Sequence, residues 1–387
     1  MRIAVIAPSV YMSEKTYPER IFAPRIVALQ LVDGLVKKGH DVTLFSAPDI
    51  ETKAKLVGGA VDLLKGNLIR DKFLNRELLI EYKLESGSES RAFYALDLMG
   101  KAFQEDKKQK FDIIQTDDPL LHPLADLSDS AVIFTFHDPL PRRESIDFWF
   151  LNTYKKHNFI SISMGQRKGE PALNFVGNVY HGLDQKLYVP SFEKGKYLAY
   201  FGRLLVEKGP DVAIKAAKES GESIKIASDK MHFNTDFVKK NVLPFIDGKA
   251  VEHVGLMKTA EEKSSFLGNA KAMLFPIQWD EAFGLVIIES MGCGTPVIAY
   301  NRGSVPELIK DGVTGFVIDQ DNEDRPGKGS WVIKKQGIEG LVEAIQRIGE
   351  IDRKACRKHV EENFTVEKMI EGYEKVYQKM IDKTNYA

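Results

Sequence analysis

Residues 281–289 read EAFGLVIIE, two carboxylates that enclose a glycine-opened apolar helix. The stretch follows a strand-like run, Ala272 to Pro276, and a four-residue loop, 277–280. Glu281 is therefore expected at the carboxyl end of a strand, and Glu289 one turn down the next helix. Ligands of open α/β sheets bind at this edge. The stretch thus predicts a ligand site in an α/β domain.

The backbone around the first carboxylate suits an anion. Amides from Ala282 to Leu285, including those of Phe283, Gly284 and Leu285, would lie at the start of the helix. A helix N-terminus attracts negative charge, and a glycine there lets a phosphate approach closely. A phosphate group is therefore the expected ligand of these amides.

Cations for the same phosphate are offered by GRLLVEKG, residues 202–209, directly after a strand-like run at 196–201. Arg203 presents a planar fork of donors and Lys208 a point charge, and both suit phosphate. A solvated helix start would show the same residues. The combination with residues 281–289 favours a binding site.

Short apolar runs alternate with longer amphipathic runs along the chain, which is typical of parallel strands joined by crossover helices. The apolar runs predict strands at 3–7, 42–46, 113–116, 132–136, 159–163, 197–201, 224–227, 251–254, 272–275, 297–299 and 316–318. Helices are predicted at 25–38, 91–107, 210–219, 259–267, 285–292 and 304–310, the last with a capping box of Ser304 and Glu307. The fold class is α/β, with two successive doubly wound, Rossmann-like domains. Pro, Ser and Gly interrupt the pattern at 187–195, where the break is expected.

The composition argues against a disordered chain and against binding to nucleic acid or anionic lipid through overall charge. The chain has 387 residues, 43% of them hydrophobic, and a formal net charge of -1. It can bury two cores and has no global attraction to nucleic acid or anionic lipid. Peripheral membrane contact through a local basic patch, at 142–143 or 167–168, stays open. The two cysteines, Cys293 and Cys356, lack metal spacing and indicate free thiols in a reducing compartment. The N-terminus predicts a strand rather than a signal peptide, and the expected location is the cytoplasm.

The run from Phe275 to Asp319 continues through SMGCGTPVIA and RGSVPELI, residues 290–299 and 302–309. It closely resembles the retaining glycosyltransferases of family 4, the glycosyl transferases group 1, which have the GT-B fold and are known by a glutamate-x7-glutamate motif. The tail at 364–377 resembles their last helix, which packs on the N-terminal domain. The resemblance implies two facing Rossmann-like domains around a deep cleft: residues 1–186 with 364–387 on the acceptor side, and 187–363 on the donor side.

Residue roles follow from the resemblance. Glu281 would bind hydroxyls of the transferred sugar, and Glu289 would bind the two ribose hydroxyls. Arg203 and Lys208 would stabilise the diphosphate. The expected activity is retaining transfer of a hexose from a nucleoside-diphosphate sugar to an unidentified acceptor hydroxyl, with no metal ion and no cofactor. No general base is assigned, because the leaving phosphate is expected to take the acceptor proton.

The first half offers further candidates. His137 follows the strand at 132–136, and its position and the resemblance favour the sugar-binding cleft over a structural role. Asp117 and Asp118 also end a strand, where they would meet the acceptor or line an exposed loop. Asp184 belongs to a segment, HGLD at 181–184, that resembles the family's approach to its second domain, as hinge or cleft wall.

The loop before the first helix departs from the family. By register, Phe22, Ala23 and Arg25 stand where the family commonly has a Gly-Gly pair and a Glu. Either Arg25 replaces the lost amide contacts with charge, or the loop is remodelled for another acceptor. The donor half is unaffected by this departure.

Other chemistries lack their motifs: no dinucleotide, Walker, nucleophile-elbow or zinc-protease pattern occurs. The acidic pair of Asp319 and Asp321 is interpreted as part of a solvated turn at 320–328 rather than a metal site. Two alternatives stay open. A nucleotide-sugar epimerase would need no acceptor, and a nucleotide-sugar-binding protein without turnover would give no product.

Overall fold

The computed structural model describes residues 1–17, 22–65, 88–170, 172–320 and 330–385. The chain divides into two compact units. The first comprises Met1–Ile162, Glu170–Val179 and Met369–Ala387, and the second comprises Ser163–Gly169 and Tyr180–Lys368.

These bounds differ from the expected boundaries after residues 186 and 363. Leu183 forms a parallel bridge with Thr365, and its amide donates to the Phe364 carbonyl at 2.8 Å. This pairing ties the outgoing and returning chain segments together in the second unit. Residues 163–169, expected in the first domain, also belong to the second unit.

The first unit contains a parallel sheet in the order β3-β2-β1-β4-β5-β6-β7. Its strands are β1 Arg2–Ile6, β2 Asp41–Ser46, β3 Lys55–Gly58, β4 Ile113–Thr116, β5 Ala131–Thr135, β6 Asn158–Ser161 and β7 Phe175–Asn178. The apolar runs predicted all of these except β3 and β7. Those two strands lie at the two edges of the sheet and are only partly buried, so they lack the continuous apolar run of the central strands.

The second unit contains a parallel sheet in the order β10-β9-β8-β11-β12-β13. Its strands are β8 Tyr197–Phe201, β9 Ile224–Ala227, β10 Val251–Gly255, β11 Ala270–Phe275, β12 Val297–Tyr300 and β13 Gly315–Ile318. The apolar runs predicted every one of them. The two parallel sheets confirm the α/β class and the doubly wound, Rossmann-like pattern.

Helices connect the strands. They are α1 Ala23–Lys37, α2 Val61–Leu64, α3 Ser88–Lys108, α4 His122–Ala125, α5 Ile146–Thr153, α6 Met164–Arg167, α7 Pro210–Ser220, α8 Asp236–Asn241, α9 Ala260–Gly268, α10 Leu285–Gly292, α11 Val305–Leu308, α12 Gly337–Arg347, α13 Arg353–Asn363 and α14 Val366–Asn385. Short 3-10 turns occur at Val10–Met12, Pro119–Leu121, Val206–Lys208, Leu243–Phe245 and Ile348–Glu350. Of the described helices, none has the length and apolar character needed to cross a membrane.

The last helix, α14, packs on the first unit, as the tail resemblance implied. A Cβ on Gly34 of α1 would lie 2.0 Å from Ile370 Cδ1, so the two helices touch where glycine leaves room. The His40 ring and the Glu374 carboxylate lie 2.8 Å apart, and Tyr377 hydrogen-bonds Gln115 of β4. The first unit is therefore built from both ends of the chain.

Each sheet reverses its strand order once, between β1 and β4 and between β8 and β11. Ligands of open α/β sheets bind at such switch points, outside the carboxyl ends of the strands. The loop with Arg203 and Lys208 follows β8, and the loop with Glu281 follows β11. The topology therefore brings the two predicted donor loops to one place.

Candidate active site

The loops after β8 and β11 meet through an ion pair. Lys208 Nζ lies 2.5 Å from Glu281 Oε2, and only 16% and 12% of the two side chains are exposed. Trp279 Nε1 donates to the same oxygen at 3.1 Å, and Lys208 Nζ lies 4.7 Å from the centre of the Trp279 ring. Two residues predicted from separate motifs thus form one cluster. Trp279 was not predicted as part of it.

Two glycines allow the close approach of these loops. A Cβ on Gly209, which has a φ of +66°, would lie 2.2 Å from the Pro276 carbonyl oxygen at the end of β11. A Cβ on Gly303, which has a φ of +53°, would lie 2.3 Å from the Glu281 carbonyl oxygen. Any side chain at these positions would push the Glu281 loop away from its neighbours.

Helix α10 begins at the predicted residues. Gly284 is its N-cap, with a φ of +87° and no capping side chain. The side chains of Ala282 and Phe283 are buried, so they offer a ligand their backbone only. Within the described part of the chain, the amides of Phe283, Gly284 and Leu285 donate to no acceptor. They form a positive end suited to a phosphate.

Arg203 differs from Lys208. Its side chain is exposed, and among the described residues its guanidinium has neither an ion-pair partner nor a hydrogen-bond acceptor. Tyr200 OH, of β8, donates to the Arg203 carbonyl at 2.9 Å and fixes the backbone there. The structure therefore leaves this cation available to an anionic ligand.

Glu289 lies in a buried ion pair on α10. Its Oε1 accepts hydrogen bonds from Lys263 Nζ at 2.7 Å and from Tyr188 OH at 2.5 Å. Burial, with the nearby Glu289 charge, raises the pKa of Tyr188, so the phenol stays protonated and donates. Oε2 has no hydrogen-bond partner within the described ranges. One carboxylate oxygen is therefore held by protein and the other is left for a ligand.

Lys263 and Tyr188 were missed by the sequence reading. A signal existed for Lys263: on α9 it shares the buried face with Ser264 and Leu267, where a charged residue needs a partner. No comparable signal exists for Tyr188, because it reaches Glu289 from more than a hundred positions away in the chain.

The predicted capping box of Ser304 and Glu307 is wrong. Ser304 has helical backbone angles, and its side chain caps nothing on α11. Its Oγ donates instead to the Phe283 carbonyl at 2.6 Å, and its amide donates to the Glu281 carbonyl at 3.0 Å. Glu307 bonds amides of α6. A capping box occurs instead at Thr259 and Glu262, at the start of α9.

The other acids considered as candidates in the second unit, Asp184 and Asp319, accept hydrogen bonds from nearby residues. Asp184 Oδ1 accepts from the Lys186 amide at 3.0 Å, in a turn. Asp319 Oδ1 accepts from Asn301 Nδ2 and from Trp331 Nε1, each at 2.9 Å. Asp321 and most of the turn predicted at 320–328 lie outside the described residues. Among the described residues, no group of His, Cys, Asp and Glu is arranged to hold a metal ion.

The candidates of the first unit lie at the carboxyl edge of its sheet. Asp117 follows β4 closely, and His137 follows β5. Burial, then the Asp118 and Asp138 charges, raise the pKa of Asp117 to about 7. Burial lowers the pKa of His137 to about 4, so its ring is neutral at pH 7. Asp118 caps the following turn by accepting from the Leu120 amide at 2.8 Å.

The start of α1, where the sequence departs from the family pattern, has no side-chain cap and has one ion pair. Phe22 is the N-cap and provides no capping hydrogen bond. Arg25 Nη2 lies 2.5 Å from Glu14 Oε1, so the arginine is tied to a neighbouring turn. Among the described residues, no ion pair joins Arg25 to Asp117.

Residues 188–330 match the family "Glycosyl transferases group 1". An uncharacterized glycosyltransferase of Methanocaldococcus jannaschii is 26% identical over 53% of this chain and 54% of that protein. A D-inositol 3-phosphate glycosyltransferase of Paenarthrobacter aurescens is 29% identical over 36% of this chain and 38% of that protein. The chain thus spans about half the length, or less, of these relatives. The family expectation is confirmed for residues 188–330 at the level of group 1.

Solved structures extend the likeness to the whole chain at the level of fold. A sucrose-phosphate synthase from Thermosynechococcus elongatus superposes with a TM-score of 0.72 at 17% identity, covering 99% of this chain and 100% of that one. HepE from Anabaena, solved with UDP, superposes with a TM-score of 0.65 at 16% identity, covering 98% and 100%. Together with the two Rossmann-like sheets, this likeness shows the GT-B fold.

Proposed function

We propose that the chain is a retaining glycosyltransferase of family 4. It would move a hexose from a nucleoside-diphosphate sugar to an acceptor hydroxyl, in the cytoplasm, without a metal ion or cofactor. The observation that carries the proposal is the Lys208–Glu281 pair beside the free amides of α10. The group 1 match over residues 188–330 and the UDP bound by HepE support it.

In the proposed donor site, cations and backbone amides would bind the diphosphate, and carboxylates would bind the hydroxyls. Breaking the bond between the anomeric carbon and the phosphate oxygen leaves negative charge on the diphosphate. Arg203, Lys208 and the α10 amides would stabilise that charge, and one preorganised donor contributes about 3 to 4 kcal/mol in comparable sites. The free oxygens of Glu281 and Glu289 would accept hydrogen bonds from sugar and ribose hydroxyls.

The acceptor oxygen then forms the new bond to the anomeric carbon. Its proton would pass to the leaving phosphate, so no protein base is required. The sugar keeps its configuration because attack comes from the side that the phosphate leaves. Neutral His137 would donate to a hydroxyl of the transferred sugar, and Asp117 would contact the acceptor. The acceptor itself stays unidentified.

One experiment separates this proposal from its alternatives. The protein is incubated with UDP-, GDP-, ADP- and dTDP-glucose in the presence of a chelator, and the sugar is followed by proton NMR. We expect slow release of free glucose in its original anomeric form from one donor, because water replaces the missing acceptor. The Glu281→Ala variant should lose this release.

Other outcomes would contradict the proposal. An epimerase would convert the glucose while it stays attached to the nucleotide. A binding protein without turnover would leave every donor unchanged. Release that needs added manganese would overturn the metal-independent mechanism, and release of the opposite anomer would overturn retention.

A further inference from the structure

Glu307, on the short helix α11, accepts hydrogen bonds from three donors. The Met164 amide donates to Oε2 at 2.8 Å, and the Gly165 amide donates to Oε1. Tyr180 OH donates to Oε2 at 2.8 Å. Hydrogen bonds to a charged acceptor are about twice as strong as neutral ones. A single carboxylate therefore fastens two separate parts of the chain.

These parts belong to the second unit although neighbouring segments of the chain belong to the first. Met164 and Gly165 lie in the segment 163–169, and Tyr180 begins the next segment of the second unit. Packing at Gly165 is tight, because a Cβ there would lie 2.4 Å from the Gly303 carbonyl oxygen. The position of these segments depends on α11 and the turn before it.

The turn before α11, which contains Gly303 and Ser304, also supports the segment 281–285 at the start of α10. Ser304 holds the carbonyls of Phe283 and Glu281, as described above. The Phe283 ring also lies 6.0 Å from the ring of Tyr180 and 4.9 Å from that of His181. Phe283 is thus held from one side by Ser304 and from the other by the segment that Glu307 fastens.

We propose that Glu307 is a positioning residue of the donor site. By holding Tyr180 and residues 163–165, it fixes Phe283 and so aims the amides of Phe283, Gly284 and Leu285 at the diphosphate. This inference rests on the proposed function, since it assigns a role in donor binding. Glu307 itself touches no reacting atom.

Two variants test the role. Glu307→Gln keeps the shape but turns one acceptor oxygen into an amide donor, which cannot serve all three partners. Tyr180→Phe removes a single hydrogen bond and keeps the ring against Phe283. Asp247→Asn is the matched control, because Asp247 accepts from the Lys249 and Val251 amides at 2.8 and 3.0 Å in a surface loop of the same unit.

The readouts are hydrogen exchange of the Met164 and Gly165 amides and the donor KM and kcat. In Glu307→Gln we expect exchange about tenfold faster or more. The donor KM should rise about five- to tenfold and kcat should fall as well, because the amides bind the diphosphate in the ground state and stabilise its additional charge in the transition state. Tyr180→Phe should shift KM in the same direction by a smaller factor, and Asp247→Asn should shift nothing.

Different failures are distinguishable. Unchanged exchange in Glu307→Gln would overturn the fastening role. Faster exchange with unchanged donor KM and kcat would overturn the positioning role while the proposed function stands. A wild-type protein that binds no nucleoside diphosphate and turns over no donor would overturn the proposed function, and the positioning role with it.

Discussion

The two units share a sheet topology but treat charge differently at their switch points. In the second unit, Lys208 and Glu281 form an ion pair and Arg203 is an exposed cation. In the first unit, burial acts on Asp117 and His137 in the opposite sense, raising the pKa of the acid and lowering that of the base. The same topology thus provides fixed charges in one unit and, in the other, a neutral imidazole and a carboxyl group that is about half protonated at pH 7. Fixed charges suit a diphosphate, and neutral groups suit hydroxyls.

Loss of the Glu281 carboxylate should have the largest effect. Glu281→Ala removes the acceptor for sugar hydroxyls and leaves Lys208 without its partner, so turnover should fall about 10²- to 10³-fold. Nucleotide affinity should fall far less, because the cations remain. Glu252→Gln is the control, since Glu252 pairs with Lys225 at 2.8 Å on a more exposed surface. Donor turnover is measured, and activity that survives in Glu281→Ala would contradict the assigned role.

The buried pair of the second unit should dominate a stability measurement. Lys263→Met leaves the Glu289 carboxylate buried without its cation, which should lower the free energy of unfolding by about 3 kcal/mol. Lys225→Met breaks the exposed pair with Glu252 and should cost about 1 kcal/mol or less. Chemical denaturation of both variants gives the comparison. Equal losses would show that the Lys263–Glu289 pair is not a special feature of the site.

Replacing Arg203 should weaken nucleoside-diphosphate binding and leave the free energy of unfolding nearly unchanged. Arg203→Ala should weaken nucleoside-diphosphate binding by about 2 kcal/mol, roughly thirtyfold, because a charge-assisted contact is lost. The unfolding free energy should stay within about 0.5 kcal/mol, since this exposed side chain holds nothing in place. Titration calorimetry of Arg203→Ala is compared with Arg347→Ala, whose arginine pairs with Glu350 on the surface. Equal affinities in the two variants would remove Arg203 from the donor site.

The smallest expected effect is a change in the free energy of unfolding between pH 6 and pH 8, which arises from Asp117 in the first unit. The folded Asp117 carboxyl keeps its proton up to about pH 7, whereas the unfolded chain releases it near pH 4. The free energy of unfolding should therefore fall as pH rises from about pH 4 and level off above pH 7, and about 1.4 kcal/mol of this fall should lie between pH 6 and pH 8. Asp117→Asn should remove this part of the slope, and the exposed Asp129→Asn should keep it. An unchanged slope in Asp117→Asn would contradict the raised pKa.

Much of the donor half could be predicted because its signals are local. The bounds of β8 and α10 were predicted to the residue, and the loops that hold Arg203, Lys208 and Glu281 follow directly from strand ends. Parallel strands bring such loops to one edge, so the meeting of Lys208 with Glu281 follows from topology. The amides of α10 follow from the glycine at its start.

The rest depended on contacts between distant residues. Tyr188 and Lys263 reach Glu289 through packing that no periodicity reports. Ser304 and Glu307 have the spacing of a capping box. Ser304 donates instead to the Phe283 carbonyl, and Glu307 accepts instead from the α6 amides. The observed boundaries of the two units also differ from the expected ones, because Leu183 pairs with Thr365 within the second unit.

The central claim is that the switch point of the second sheet binds a nucleoside diphosphate. Hydrogen exchange of the whole protein, with and without UDP, GDP, ADP or dTDP, tests it most directly. We predict that one of these nucleotides slows exchange at residues 203–209 and 281–289 and leaves the surface loop at 247–250 unchanged. No slowing with any nucleotide, or slowing confined to the first unit, would contradict the claim.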